Sequence, residues 1–174
     1  MINGKKLACV VMLALATPVM VPFAPMATVE AAIDIAAAKA IALEHAGYGE
    51  GDVMITKMKP DYDDGRSIFE IEFMVDGKEY DYDVLSSSGA IVSYSCDIKN
   101  LAALGGEGRV SMEEAKAIAL EHAGLDSAQF AKMKMDYEDG VEVYELKFMA
   151  NGAQYKYEVC TNGKIKKYKM ETWG

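Results

Sequence analysis

The sequence predicts an α+β protein made of two tandem units, each one α-helix packed on a four-stranded antiparallel β-meander. Three observations predict this. The decapeptide from Ala38 to Gly47 (AKAIALEHAG) returns letter for letter from Ala115 to Gly124, 77 positions later. Behind each copy, apolar and polar residues alternate through strand-length runs, the pattern of strands with one buried and one wet face. Between the runs stand Asp-Gly and Asn-Gly pairs, which supply the positive φ of two-residue hairpin turns. With 174 residues, half of them apolar and 26% charged, the chain suits two small folded cores and not a disordered polymer.

Residues 1–31 read as a secretory signal peptide. Lys5 and Lys6 precede a short apolar run from Leu7 to Ala16, prolines follow, and Val29-Glu30-Ala31 closes with small residues at the cleavage positions. The run is too short for a comfortable membrane span. The expectation is therefore an exported protein with no span after cleavage. Cleavage after Ala31 leaves 16 basic and 26 acidic residues, a net charge of −10. Such a surface disfavours nucleic acid and anionic lipid, which want basic patches.

The first unit is read at 33–99 and the second at 110–174. Asp34 is the expected N-cap of a helix over Ile35 to Ala46, with Gly47 closing it. Ser111 takes that place in the second unit, where Ser111-Met112-Glu113-Glu114 forms a capping box. Ile33 and Val110 precede the caps, where a hydrophobic staple sits. Ala38, Ile41, Ala42 and His45, and their copies Ala115, Ile118, Ala119 and His122, form a narrow stripe that lets each helix approach a sheet closely.

Four strand-like runs follow each helix. Thr56, Met58, Pro60 and Tyr62 match Ala131, Met133, Met135 and Tyr137 on the apolar side. Phe69, Ile71 and Phe73 match Tyr144, Leu146 and Phe148. Tyr80, Tyr82 and Val84 match Tyr155, Tyr157 and Val159. In the fourth runs, Ile91 and Tyr94, like Ile165 and Tyr168, break parity, which predicts a bulge or an edge. Pro60 predicts an edge position for the first run. Residues 100–109 read as a linker with three glycines, from which Leu101 or Leu104 can dock on either unit.

At these residues the chain resembles the PepSY family: the alanine-faced helix ending His-Ala-Gly, the Asp-Tyr-x-Asp-Gly turn, the alternating aromatic strands, Tyr-x-Tyr-x-Val, and a last strand after Ser-Gly or Asn-Gly. The resemblance covers both units. It implies a non-catalytic, exported binding module that restrains peptidases. No protease domain is read after Gly174, so the resemblance implies action in trans on a secreted peptidase. The alternative is an envelope structural or adhesion protein.

The individual residues point the same way. His45 and His122 are the only histidines, and no nucleophile stands beside either, so triad or acid–base chemistry has no support. They read as structural residues at the core edge, and the expectation is no enzyme, no cofactor and no bound metal. Asp61-Tyr62-Asp63-Asp64-Gly65 has an acidic spacing like that of a calcium loop. Position six, however, is Arg66 where that loop needs glycine, so a hairpin turn is the better reading. The residues singled out for binding are Glu70, Glu72, Glu79, Asp81 and Asp83, predicted to share one wet face as a docking surface for a basic partner (a secreted peptidase or an envelope protein) or for divalent cations. Residues 33–100 carry 14 acidic and 6 basic residues, against 12 and 10 in residues 101–174. Lys164, Lys166, Lys167 and Lys169 are read as guarding an exposed edge strand. Cys96 and Cys160 stand at non-equivalent positions, either bridged or as separate thiols.

Overall fold

The computed structural model describes residues 32–173; the proposed signal peptide lies outside the described residues. Helix α1 (Ile35–Ala46) is followed by strands β1 (Met54–Asp63), β2 (Arg66–Val75), β3 (Lys78–Leu85) and β4 (Ile91–Ile98). Helix α2 (Met112–His122) is followed by β5 (Gln129–Glu138), β6 (Val141–Ala150), β7 (Ala153–Cys160) and β8 (Ile165–Thr172). The protein is α+β, with two helices on one eight-stranded antiparallel sheet of order β1-β2-β3-β4-β8-β7-β6-β5. No helix among the described residues is long and apolar enough to cross a membrane.

Local chemistry accounts for the elements. The Asp34 carboxylate accepts from the Ala37 N–H at 2.8 Å and starts α1; Gly47, at φ 79°, ends it. Ser111 and Glu114 make a reciprocal capping box on α2. In the hairpins Asp64-Gly65, Asp76-Gly77, Asp139-Gly140 and Asn151-Gly152, both turn residues have positive φ, as a right-twisted two-residue hairpin requires. The acidic run before Gly65 is thus a hairpin and not a helix-flanked loop.

Each helix lays its alanine stripe on the sheet. Ala38 and Ala42, and Ala115 and Ala119, are fully buried. Around α1 they meet Ile71, Phe73, Tyr82 and Val84; around α2 they meet Leu146, Phe148, Tyr157 and Val159. Tyr168 packs against both clusters. Its ring meets Tyr94 edge-on at 6.1 Å and stacks with Tyr157 at 5.9 Å. The two cores therefore touch under one continuous sheet.

That continuity departs from the expectation of a separate four-stranded sheet in each unit. β4 and β8 pair over Ser93 to Asp97, with Ser95 opposite Lys169. Each is the fifth residue of its eight-residue strand, so the junction is symmetric about that pair. The physical reason is the edge: a meander ends on a row of unpaired amides and carbonyls, and joining two such edges satisfies both.

The lysine-guarded edge is corrected by the same observation, because β8 is an inner strand. Lys166 is buried, 3% exposed, and bridges Glu158 at 3.0 Å and Asp139 at 3.1 Å. Lys167 faces Asp97 across the junction. Lys164 donates to the Ala103 and Gly105 carbonyls, and Asn162 to that of Leu104. These bonds hold the linker, where a short 3-10 turn (Leu101–Leu104) seats Leu104 against Val143 and Cys160. Docking thus falls on the second half. The fourth strands carry the bulge and not the edge, the register slipping at Asp83/Val84 and at Glu158/Val159. β1, with Pro60, is an outermost strand as expected.

Candidate interaction surface

The wet face of β2 and β3 brings the predicted carboxylates together. Phe69, Ile71 and Phe73 point toward α1, so Glu70 and Glu72 point away; Tyr80, Tyr82 and Val84 do the same for Glu79, Asp81 and Asp83. Register places Glu70 directly opposite Asp83 and Glu72 opposite Asp81. Glu79 lies on the same face opposite Met74, farther along the strand. All five are half-buried. Glu70, Glu72 and Asp81 each offer an oxygen within 4.8 Å of the others. This is a geometry that could take a divalent ion, but the Lys57 ammonium already bonds Glu70 and, at 2.9 Å, Glu72.

Like charges this close must be compensated or protonated. For Glu70, partial burial disfavours the charged form, but Lys57 and Lys59 outweigh it and hold its carboxyl below the usual glutamate range. Among the described residues no ammonium is bonded to Asp81 or Asp83. Burial, and then the charges of Glu72 and Glu70, push Asp81 up. Burial, and then Asp81 and Glu70, raise Asp83 from 3.8 to about 6. At the other end Lys99 bonds Glu79 and Asp97, each at 2.8 Å. Beside it a small cleft of ≈160 Å³ opens between Glu72, Glu79, Asp81, Asp97 and Lys167.

Sequence reading missed Asp97, Lys57, Lys59 and Lys99 as members of this face. The alternation of Lys57 and Lys59 marked them as wet; only strand pairing shows that they lean on Glu70 and Glu72. In the second half the counterparts of Glu72 and Asp81 are Lys147 and Lys156, and only strand pairing shows how they line up with other lysines. Lys132 stands opposite Lys147, Lys147 opposite Lys156, and Lys156 opposite Lys169, a row of four lysines crossing β5, β6, β7 and β8. Like charges directly opposite are destabilising; Glu145 bridges Lys132 and Glu171 bridges Lys169, at the two ends of the row.

The histidines do not converge on a cleft with acidic neighbours. His45 Nδ1 lies 2.9 Å from the Tyr82 hydroxyl, and His122 Nδ1 lies 2.9 Å from that of Tyr157. The rings pack on Tyr94 and Tyr168 respectively. Partial burial lowers the His122 pKa. Each histidine acts as a bracket between helix and sheet. Cys96 and Cys160 are buried free thiols in different clusters, and burial pushes both thiols up. That makes them poor nucleophiles.

Comparison with known proteins points to one family. The family model "PepSY: Peptidase propeptide and YPEB domain" matches residues 109–159. An uncharacterized protein of Streptococcus pyogenes serotype M6 is 38% identical over 60 residues, which make up 34% of this chain and 46% of that protein. The chain thus spans less than half the length of that relative. Among solved structures, the Bacillus megaterium YpeB C-terminal domain aligns at TM-score 0.47 and 12% identity, covering 79% of this chain and 63% of that one. A candidate lipoprotein from Clostridium difficile 630 aligns at TM-score 0.32 and 16% identity, covering 70% and 84%. The match to PepSY thus runs from just before α2 to the penultimate residue of β7 and leaves the first half of the chain outside it.

Proposed function

We propose that the protein is an exported, non-enzymatic binding module in which both halves are PepSY units, and that it restrains a secreted peptidase in trans. The observation that carries the reading is the wet face of β2 and β3. There Glu70, Glu72, Glu79, Asp81 and Asp83 stand on a rigid scaffold with too few ammonium groups to neutralise them. A basic rim on a peptidase would relieve that repulsion on docking, and complementary charge speeds the encounter. The test is titration of the protein into secreted peptidases of its host. Dose-dependent slowing of cleavage is expected, and Glu72→Lys with Asp81→Lys should remove it. Unchanged inhibition by that double variant would sink the role of this face.

The lysine row on β5 to β8 favours a second reading, an envelope protein held by anionic wall polymer with no peptidase contact. Retention on such a polymer, lost in Lys147→Glu with Lys156→Glu and accompanied by no inhibition, would favour it over the first.

A further inference from the structure

The outermost strands β1 and β5 share one order of side chains. On the wet face of β5, Lys132 and Lys134 precede Asp136 and Glu138, and Met133, Met135 and Tyr137 alternate with them on the helix side. β1 repeats this order with Pro60 in the place of Met135. An end strand offers a row of open backbone groups with which a further strand can pair. In an antiparallel strand the N–H and C=O of one residue point to the same side, and successive residues alternate. The Tyr137 N–H donates to the Asp136 carboxylate at 2.9 Å, which marks it as lying outside the ladder to β6. Tyr137, Met135 and Met133 therefore turn their backbone groups to the open side. The matching bond on β1, from Tyr62 to Asp61 at 2.8 Å, puts Pro60 on the open side there.

Pro60 has no N–H to offer, and α1 packs on β1, where Met58 joins the core. Met135 keeps its N–H, and α2 packs chiefly on β6 and β7. Arg109, bonded to Glu142 at 3.2 Å, touches the Met135 sulfur. With it in place Met133, Met135 and Tyr137 are still 47%, 48% and 68% exposed.

The order of charges decides what fits this edge. Lys132 and Lys134 already lean on Glu145, and Lys134 on Asp136, so they call for no foreign carboxylate. A second copy of β5, run antiparallel and centred on Met135, sets Lys132 opposite Glu138 and Lys134 opposite Asp136, twice over by symmetry. On the helix side Met135 meets its own copy and Met133 meets Tyr137, a sulfur–aromatic contact. Moving the centre to Met133 would set Lys132 against Lys134. Moving it to Tyr137 would set Asp136 against Glu138. A parallel copy in register would set every charge against itself, and like charges directly opposite are destabilising. A slip of one residue would carry the charges onto the apolar face. One direction and one register remain.

We propose that β5 is a self-association edge, at which two copies pair antiparallel about Met135 into one sheet of doubled width. The Tyr137 N–H exchanges Asp136 for the Met133 carbonyl of the second copy, which frees the Asp136 carboxylate for Lys134 of the second copy. The contact is two-fold, so it closes at a dimer, and Pro60 keeps β1 from continuing the sheet into a fibre. The edge lies at the far end of the sheet from the acidic face and does not depend on the peptidase reading.

The test is sedimentation velocity of the full chain over a concentration series. A single strand edge is smaller than a standard interface, so a monomer–dimer equilibrium is expected at about 10–100 μM. Met135→Pro, which copies β1, should weaken the dimer by about tenfold or more, the scale of two lost backbone hydrogen bonds. Glu138→Lys sets lysine against Lys132 of the second copy and should also weaken it. Adding Lys132→Glu to Glu138→Lys reverses the pair and should restore association. Circular dichroism confirms that each variant is folded. Glu72→Lys with Asp81→Lys should leave the dimer unchanged, so this edge and the peptidase reading can fail separately. The proposal is overturned by a chain that stays monomeric throughout, whether or not an extended peptide binds it. It is overturned equally by species that grow beyond the dimer, by wild-type association in folded Met135→Pro, or by a charge-reversed double variant no stronger than Glu138→Lys alone.

Discussion

The halves around α1 and α2 share a helix-side face and differ on the other. Under the helices, Ile71, Phe73, Tyr82 and Val84 answer to Leu146, Phe148, Tyr157 and Val159. On the wet side, Glu72 and Asp81 of the first half answer to Lys147 and Lys156 of the second, and Ser95 to Lys169. Core volume tolerates little change. A solvated strand face tolerates charge of either sign, so the two halves diverge where a partner would touch them. Four measurements test how far that likeness and that divergence go.

The largest effect should come from the shared core. Phe73→Ala and Phe148→Ala each remove a fully buried ring, and each should cost about 3–5 kcal/mol. Because β4–β8 pairing and Tyr168 join the halves, both variants should shift one cooperative unfolding transition. Two separated transitions in calorimetry would show that the halves are energetically independent.

Next is Lys166, whose place in the first half is held by Val92. Lys166→Ala removes a buried ammonium from Glu158 and Asp139. The half-buried Glu158 is then left without its bonded cation, at a cost of about 2–4 kcal/mol. Lys166→Val imports the other half's residue, fills the space, and should cost less by denaturant unfolding. An equal loss in both would mean that the charge matters and the packing does not.

Third is Asp83, whose carboxyl titrates near 6 in the folded protein because of burial and the charges of Asp81 and Glu70. A folded value above the unfolded one means that the folded state holds its proton more tightly. Stability from this group is therefore complete below about pH 4 and is lost as pH rises through 6. Asp83→Asn carries no such charge and should unfold at a higher temperature than wild type at pH 7. That advantage should disappear by pH 4; an advantage that persists there would point to a cause other than titration.

The smallest is at the helix starts. Ser111→Ala loses the capping box of α2 and Asp34→Ala a single cap of α1, each about 1 kcal/mol with the former larger. Equal losses would show that the Glu114 arm adds nothing.

Much of the molecule is legible in its residues alone. Both helices, their caps and all four Asp-Gly or Asn-Gly hairpins lie where the residues predict. The five carboxylates do share one face, because strand parity is a local property. Tyr62 and Tyr137 show where parity falls short. They alternate with the apolar set, yet they run past the helices that would bury them and are 69% and 68% exposed. Strand phase says which side a residue faces and not whether anything covers it.

What the chain alone determines, then, is everything governed by neighbours a few residues apart: turn chemistry, capping, the periods of 3.6 and 2, and the net acidity. The tertiary structure decided which edges meet. Joining β4 to β8 turned the lysines of an expected edge into junction and linker contacts and buried Lys166. It placed Tyr168 in both cores and left β1 and β5, not β8, as the outermost strands. Those outcomes depend on contacts between residues far apart in the chain, such as Cys96 and Tyr168. Their free energy comes from satisfying two open edges at once, and no local pattern of residues encodes that.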